Sequence, residues 1–141
     1  MNQKEIDYQA GANSEIEMLE HIQELLNDTT IFRTSNRYSM FDYYNKSDKK
    51  VFVELKSRLK LSATTHNTAM LPLNKVLNCK YPNRDYWFFF RYKNNIVKYI
   101  KYDKELFDTF ERKVSGRTDR GYNETSDYIY VPLNLCQTYN F

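Results

Sequence analysis

The stretch Lys50-Val-Phe-Val-Glu-Leu-Lys-Ser-Arg58 has the period of a β-strand, because small aliphatic side chains at every second position alternate with Phe52, Glu54 and Lys56. Successive side chains of a strand point to opposite faces of the sheet, so Glu54 and Lys56 project from the same face. The stretch therefore predicts a strand that presents a carboxylate and an ammonium group together.

Two other segments repeat the spacing of an acid, any residue and a lysine. Asp48-Lys-Lys50 falls in a polar turn, and Glu111-Arg-Lys113 falls in a helical pattern, where positions i and i+2 point to different faces. We therefore expect only Glu54 and Lys56 to present such a pair on one face.

A second acid precedes this strand in a predicted β-hairpin. Residues 38–44 are aromatic and strand-prone, and residues 45–50 have the composition of a turn. A hairpin centred near Asp48 would place Asp42 directly opposite Glu54, with their Cβ atoms about 5 Å apart. At that separation the two carboxylates can share a cation, and they repel each other without one.

A third acid lies in a predicted amphipathic helix that begins at a capping box formed by Ser14 and Glu17. At about 100° per residue, Glu15 projects within the apolar stripe of this helix. An inward-facing carboxylate needs a partner, and an ion held by Asp42 and Glu54 would supply one. The alternative is that Glu15 complements the helix dipole in the first turn. The stripe comprises Ile16, Met18, Leu19, Ile22, Leu25 and Leu26.

The segments Gly11-Ala-Asn-Ser-Glu15, Asp42 and Glu54-Leu-Lys56 resemble the PD-(D/E)XK nuclease superfamily, which includes restriction endonucleases, archaeal Holliday-junction resolvases and phage and viral nucleases. The resemblance covers roughly the first two-fifths of the chain, and Phe41 stands where the family often has a proline. It implies an α/β, restriction-endonuclease-like fold with an N-terminal helix, a central mixed sheet whose second and third strands carry the acids, a helix and further strands. At 141 residues, we expect one domain spanning 1–141.

The resemblance also implies a metal-dependent endonuclease that hydrolyses phosphodiester bonds in DNA, including branched DNA. Asp42, Glu54 and the backbone carbonyl of Leu55 would hold Mg²⁺, for which Mn²⁺ can substitute, and Glu15 would act directly or through water. Lys56 would orient or deprotonate the nucleophile, or stabilise the pentavalent phosphorus. Two alternatives stay open: an RNA-directed nuclease with the same site, and a catalytically inactive nucleic-acid-binding or structural protein of this fold.

Contacts to nucleic acid are predicted from local positive charge, since the net charge is only +3. Arg58 and Lys60 follow the acidic strand directly. A short helix near 71–79 carries Lys75, which by the resemblance would reach the scissile phosphate, although a solvated lysine is an equal alternative. We assign neither histidine, His21 nor His66, to the site.

A polar loop at 115–126 contains Arg117 and Arg120 and follows Arg112 and Lys113. Guanidinium groups and glycine-exposed amides suit phosphate oxygens, so the loop is a second candidate contact, with a solvated loop as the alternative.

The remaining elements form a scaffold. Residues 85–92 predict a central strand, 97–102 and 127–133 predict further strands, and Asp103 can cap a helix at 104–114. Because proteins of this fold often pair to cut both strands, a homodimer is also expected.

No interaction with a membrane is expected, because the longest strongly apolar run, 86–90, is too short to cross a bilayer. The N-terminus lacks the apolar core of a signal peptide, so we expect a soluble intracellular protein. Cys79 and Cys136 lack metal-binding spacing and are expected to be reduced, part-buried thiols.

Overall fold

The computed structural model of the protein describes residues 1–36, 38–117 and 124–141, with only the backbone described at 115–117 and 124–126. The helices are α1 (Gln3–Leu25), α2 (Leu73–Leu77) and α3 (Lys104–Phe107). The strands are β1 (Ile31–Arg33), β2 (Tyr43–Asn45), β3 (Val51–Arg58), β4 (Thr68–Pro72), β5 (Asp85–Tyr92), β6 (Ile96–Lys101), β7 (Glu111–Arg117), β8 (Glu124–Pro132) and β9 (Gln137–Asn140). Among these described residues, no helix is both long and apolar enough to cross a membrane.

The strands form two sheets. The larger has six strands in the order β1-β2-β3-β5-β6-β9, in which β3 and β5 are parallel and the other neighbours are antiparallel. The smaller has three antiparallel strands in the order β4-β8-β7. Parallel neighbours need a crossover connection, and β4 and α2 lie within the one between β3 and β5. The predicted α/β class with a central mixed sheet is confirmed.

Two apolar cores cover the two faces of the six-stranded sheet. Helix α1 packs on one face through Met18 and Ile22, against a group that includes Val53 and Leu55 of β3. The other core contains side chains of β5, α2, α3 and the smaller sheet. Because strand side chains alternate, Glu54 and the other even-numbered residues of β3 point away from α1, toward the second core.

Helix α1 begins earlier than predicted. Its N-cap is Asn2, whose side chain accepts a backbone N–H of the first turn. The capping box at Ser14 is therefore wrong, and Ser14 is a fully buried residue within the helix. The predicted apolar stripe also fails at Ile16, which is 61% exposed, whereas Met18 and Ile22 are buried. The capping signal at Asn2 decides the start, because the intervening residues are mostly good helix formers.

The predicted helix at 104–114 is wrong beyond its first turn. Asp103 caps α3 as expected, accepting two backbone N–H groups, but α3 ends at Phe107. Residues 111–117 form β7, which pairs with β8 over seven residue pairs. Pairing with a distant segment overrides local helix propensity here. The predicted loop at 115–126 is likewise strand at both ends, and residues 118–123 lie outside the described part.

The other predicted elements hold in outline. Strands β5, β6 and β8 confirm the strands predicted at 85–92, 97–102 and 127–133. The predicted strand at 38–44 is reduced to β2, and the predicted helix at 71–79 is reduced to α2, because the residues before it form β4.

Candidate active site

The hairpin of β2 and β3 has the predicted centre. Tyr43 pairs with Val53, so the hairpin is centred on Asp48. The strand pairing ends there, and the Asp42 backbone N–H donates to the carbonyl of Val53, the partner of Tyr43, at 3.0 Å. The hairpin therefore brings Asp42, the residue just before β2, beside β3, and a position directly opposite Glu54 stays a prediction.

Asp42 is held against β3 by its side chain. Its Oδ2 accepts the backbone N–H of Leu55 at 2.8 Å. Burial raises the pKa of Asp42 to about 8, and repulsion by the carboxylates of Glu54 and Glu15 adds to this shift, while the Leu55 hydrogen bond and the charge of Lys56 oppose it. Without a cation, Asp42 therefore carries a proton at neutral pH.

Glu54 is the buried centre of the site, with 2% of its surface exposed. Lys56 Nζ lies 3.2 Å from Oε2, which confirms that both side chains share one face of β3. Lys75 Nζ lies 3.5 Å from Oε1, but the geometry makes no hydrogen bond, and Oε1 accepts none from the residues that the structure describes. Buried carboxylate oxygens are normally hydrogen-bonded, so this atom marks an unused ligand position.

Lys75 reaches the site from α2. Its Nζ also donates to the backbone carbonyl of Met40 at 3.2 Å, which connects α2 to the segment preceding Asp42. The crossover helix therefore adds a second cation beside Glu54. Contact of Lys75 with a phosphate stays a prediction.

Glu15 lies on α1 and pairs with a residue that the sequence analysis missed. Arg33 Nε of β1 donates to Glu15 Oε1 at 3.1 Å, and the hydroxyl of Tyr43 donates to the backbone carbonyl of Glu15. Burial raises the pKa of Glu15, the charge and hydrogen bond of Arg33 oppose this shift, and repulsion by Glu54 adds to it. Glu15 is in the middle of α1, so the alternative that it complements the dipole in the first turn is wrong.

The three acids differ in how well they suit a metal ion. Within residues 1–36, 38–117 and 124–141, no group of three or more His, Cys, Asp or Glu side chains is arranged to hold one. Mg²⁺, however, is usually bound by one or two carboxylates together with waters and substrate phosphates. Asp42, Glu54 with its unused Oε1, and the carbonyl of Leu55 are hard oxygen donors of this kind. By their chemistry these donors suit Mg²⁺, and their joint binding of one ion stays a prediction.

The predicted nucleic-acid contacts lie at different places. Arg58 ends β3 and, by alternation, points to the same side as Glu54, and Lys60 is exposed in the turn that follows. Arg117 ends β7, with a side chain outside the described part, and Arg120 lies outside it entirely.

The positive charge predicted around 112–113 is partly neutralised. Arg112 lies 3.7 Å from Asp108, and Lys113 lies 2.9 Å from Glu111. The expectation that only Glu54 and Lys56 share one face is wrong, because Glu111 and Lys113 lie two residues apart on strand β7 rather than on a helix and form an ion pair. Both side chains are exposed, so this pair still forms no buried site.

Both cysteines are free and half-buried, as predicted. Burial raises the pKa of Cys79 to about 12, with repulsion by Glu54 adding to it, and raises that of Cys136 to about 11. Both thiols are protonated at neutral pH, so neither suits a nucleophile.

Comparison with known proteins assigns no family to the chain: no family model, no curated protein and no solved structure matches it.

Proposed function

We propose that the protein is a Mg²⁺-dependent nuclease of the restriction-endonuclease-like fold that hydrolyses phosphodiester bonds in DNA. The observation that carries the proposal is the arrangement around the buried carboxylate of Glu54. Lys56 and Lys75 lie beside this carboxylate, and Asp42 accepts a hydrogen bond from the next residue of β3, Leu55. In such a group the carboxylates can bind a metal ion, and the lysine ammonium groups can bind a phosphate.

The order of elements supports the same proposal. A long helix, an antiparallel run of β1, β2 and β3, a crossover containing α2, and the parallel strand β5 follow one another as the resemblance implies. The acids lie just before the second strand and on the third strand of that run. The additional sheet of β4, β8 and β7 lies beyond the segment that carries the resemblance.

Asp42, Glu54 and the carbonyl of Leu55 would hold the metal. When bound, Mg²⁺ lowers the pKa of a water molecule and neutralises charge on the phosphate. A bound cation would favour the ionised form of Asp42, because burial and its acidic neighbours raise the pKa of this carboxyl to about 8. A strongly shifted carboxyl beside specific charge partners is typical of functional sites.

The two lysines have a defined part in this scheme. Each lies within ion-pair distance of Glu54 and is about one-fifth exposed, so each can turn toward a substrate at the surface. A cation on Glu54 would compete with both ammonium groups for its oxygens, which frees them to bind the scissile phosphate. Lys56 would then orient or deprotonate the nucleophile or stabilise charge on phosphorus, and Lys75 would bind phosphate oxygen.

Glu15 supports the site from α1 through its pair with Arg33. In this position it is suited to act through water rather than as a ligand, since Arg33 already uses Oε1. A homodimer remains a prediction, and nuclease activity on one strand does not depend on it.

The proposal is tested by Mg²⁺-dependent cleavage of supercoiled, branched and single-stranded DNA and of RNA. We expect DNA cleavage that stops in Asp42→Ala and in Glu54→Ala while binding is retained. Cleavage that persists in both variants would show that Asp42 and Glu54 are not the active site. Cleavage of RNA but not of DNA would contradict the proposed substrate. If the unaltered protein binds nucleic acid without cleaving it, the protein is not a nuclease.

A further inference from the structure

A cavity of about 280 Å³ lies beside the candidate active site. Arg58, one of its lining residues, is two positions beyond Lys56 on β3, so both side chains point to the same side. Phe90 and Tyr92 of β5 also line the cavity, and they are the parallel partners of Lys56 and Arg58. The cavity therefore begins at Arg58, about 7 Å along β3 from Lys56, the last residue of the candidate active site on this strand.

The lining combines aromatic walls with polar groups on one side. Phe90 and Tyr92 are almost fully buried, and Tyr130 of β8 is half-buried. The polar groups belong to Arg58, His66 and Thr68, and the lining that the structure describes includes no carboxylate.

The position of the polar groups distinguishes the cavity from a packing defect. His66 is exposed and Arg58 is half-buried, so the lining extends from the core to the protein surface. Voids within a close-packed core are small and rare. The volume is close to the lower end of the range for ligand pockets, about 300–1,000 Å³, and suits one flat group of the size of a nucleobase.

We propose that this cavity binds one unpaired base of the nucleic acid strand that lies at the active site. The inference depends on the proposed nuclease function and adds a substrate preference to it. Bases stack on aromatic rings and guanidinium planes, for which the half-buried Tyr130 and Arg58 are accessible, and their edges accept hydrogen bonds from side chains such as Thr68 and His66. A paired base cannot enter without leaving its stack, so substrates with an unpaired nucleotide next to the cut are favoured.

The test is an affinity scan with a single-stranded oligonucleotide in which one base at a time is replaced by an abasic site. Ca²⁺ replaces Mg²⁺ to prevent cleavage. We expect removal of the base at one position to weaken binding about ten-fold, as for loss of one stacked base, and removal elsewhere to have little effect.

The matched variants are Thr68→Trp, which fills the cavity, and Thr65→Trp, which places the same side chain on the exposed loop nearby. We expect the sensitive position to disappear in Thr68→Trp and to remain in Thr65→Trp. Tyr130→Ala removes one aromatic wall and provides the same test if Thr68→Trp does not fold, which circular dichroism would show. A sensitive position that persists in a folded cavity variant, or no sensitive position in the unaltered protein, overturns the inference.

The two proposals fail separately. A single sensitive position without Mg²⁺-dependent cleavage would support the base site and contradict the nuclease. Mg²⁺-dependent cleavage without any sensitive position would support the nuclease and contradict the base site.

Discussion

The chain contains two Glu-x-Lys segments on β-strands, and they have different surroundings. Glu54 and Lys56 on β3 lie 3.2 Å apart with side-chain exposures of 3% and 23%. Glu111 and Lys113 on β7 lie 2.9 Å apart with exposures of 61% and 60%. The spacing and the ion pair are the same, so neither of them identifies a functional site.

The difference lies in what else surrounds the carboxylate. Glu54 has a second lysine at 3.5 Å, an oxygen without a hydrogen bond from described residues, and a neighbouring acid with a raised pKa. Solvent surrounds Glu111 and screens its charge. Burial makes each of these charges costly, and that cost is what a bound cation would relieve.

The largest difference is expected when the glutamate of each Glu-x-Lys segment is replaced by glutamine. Glu54→Gln keeps the side-chain volume and should lower Mg²⁺-dependent cleavage at least about a hundred-fold, as the loss of one preorganised electrostatic group does in other enzymes. Glu111→Gln, the matched control, should leave the cleavage rate unchanged. Equal losses in the two variants, measured at equal protein stability, would show that the two segments do not differ in function.

The next effect concerns the pH dependence of stability in the presence of a chelator. The pKa of Asp42 is raised to about 8 from 3.8, so between these values the folded protein holds a proton that the unfolded chain has lost. The free energy of unfolding should therefore fall as pH rises from about 4 to about 8, by at least about 1.4 kcal/mol, the equivalent of one pKa unit.

This fall should be absent in Asp42→Asn and retained in Asp127→Asn, a control at an exposed position. Urea unfolding at pH 5 and pH 8.5 measures it. Mg²⁺ should reduce the fall, because it favours the ionised carboxylate. If the free energy of unfolding depends on pH in the same way in the unaltered protein and in Asp42→Asn, the pKa of Asp42 is not raised in the folded protein.

The smallest effect is expected from the second lysine. Lys75→Ala should lower cleavage about ten-fold, because a hydrogen bond to a charged group contributes about 1.5 kcal/mol or more. Lys75→Arg should restore part of the rate, and Lys113→Ala should not change it. If Lys75→Ala and Lys113→Ala behave alike, Lys75 is a surface lysine that only happens to lie near Glu54.

The strands of the fold were more predictable than its helices. A period-two pattern identifies β3, a continuous apolar run identifies β5, which is buried along most of its length, and strand-prone composition identifies β6 and β8. The helix predicted at 104–114 failed because residues 111–117 gain more from pairing with β8 than from local propensity. The start of α1 was predictable, since Asn2 followed by Glu5 is itself a capping signal.

The site was predictable in part. Asp42, Glu54 and Lys56 follow from strand alternation and a hairpin centre, which are local properties. The pair between Glu15 and Arg33 was not predictable, because Arg33 lies on a three-residue strand with too few residues to show a period. The cavity was not predictable for a different reason: its walls come from β3, β4, β5 and β8 and from a loop, which only the tertiary structure brings together.

The sequence by itself determined which face of β3 carries the acid and the lysine, because alternation of side chains is a property of one strand. Only the tertiary structure decided that Glu54 is buried between Lys56 and Lys75 whereas Glu111 is exposed. Burial depends on which distant segments pack over a strand. The free energy of a charge depends on that packing, so the same three-residue pattern is a candidate active site in one place and an ordinary surface ion pair in the other.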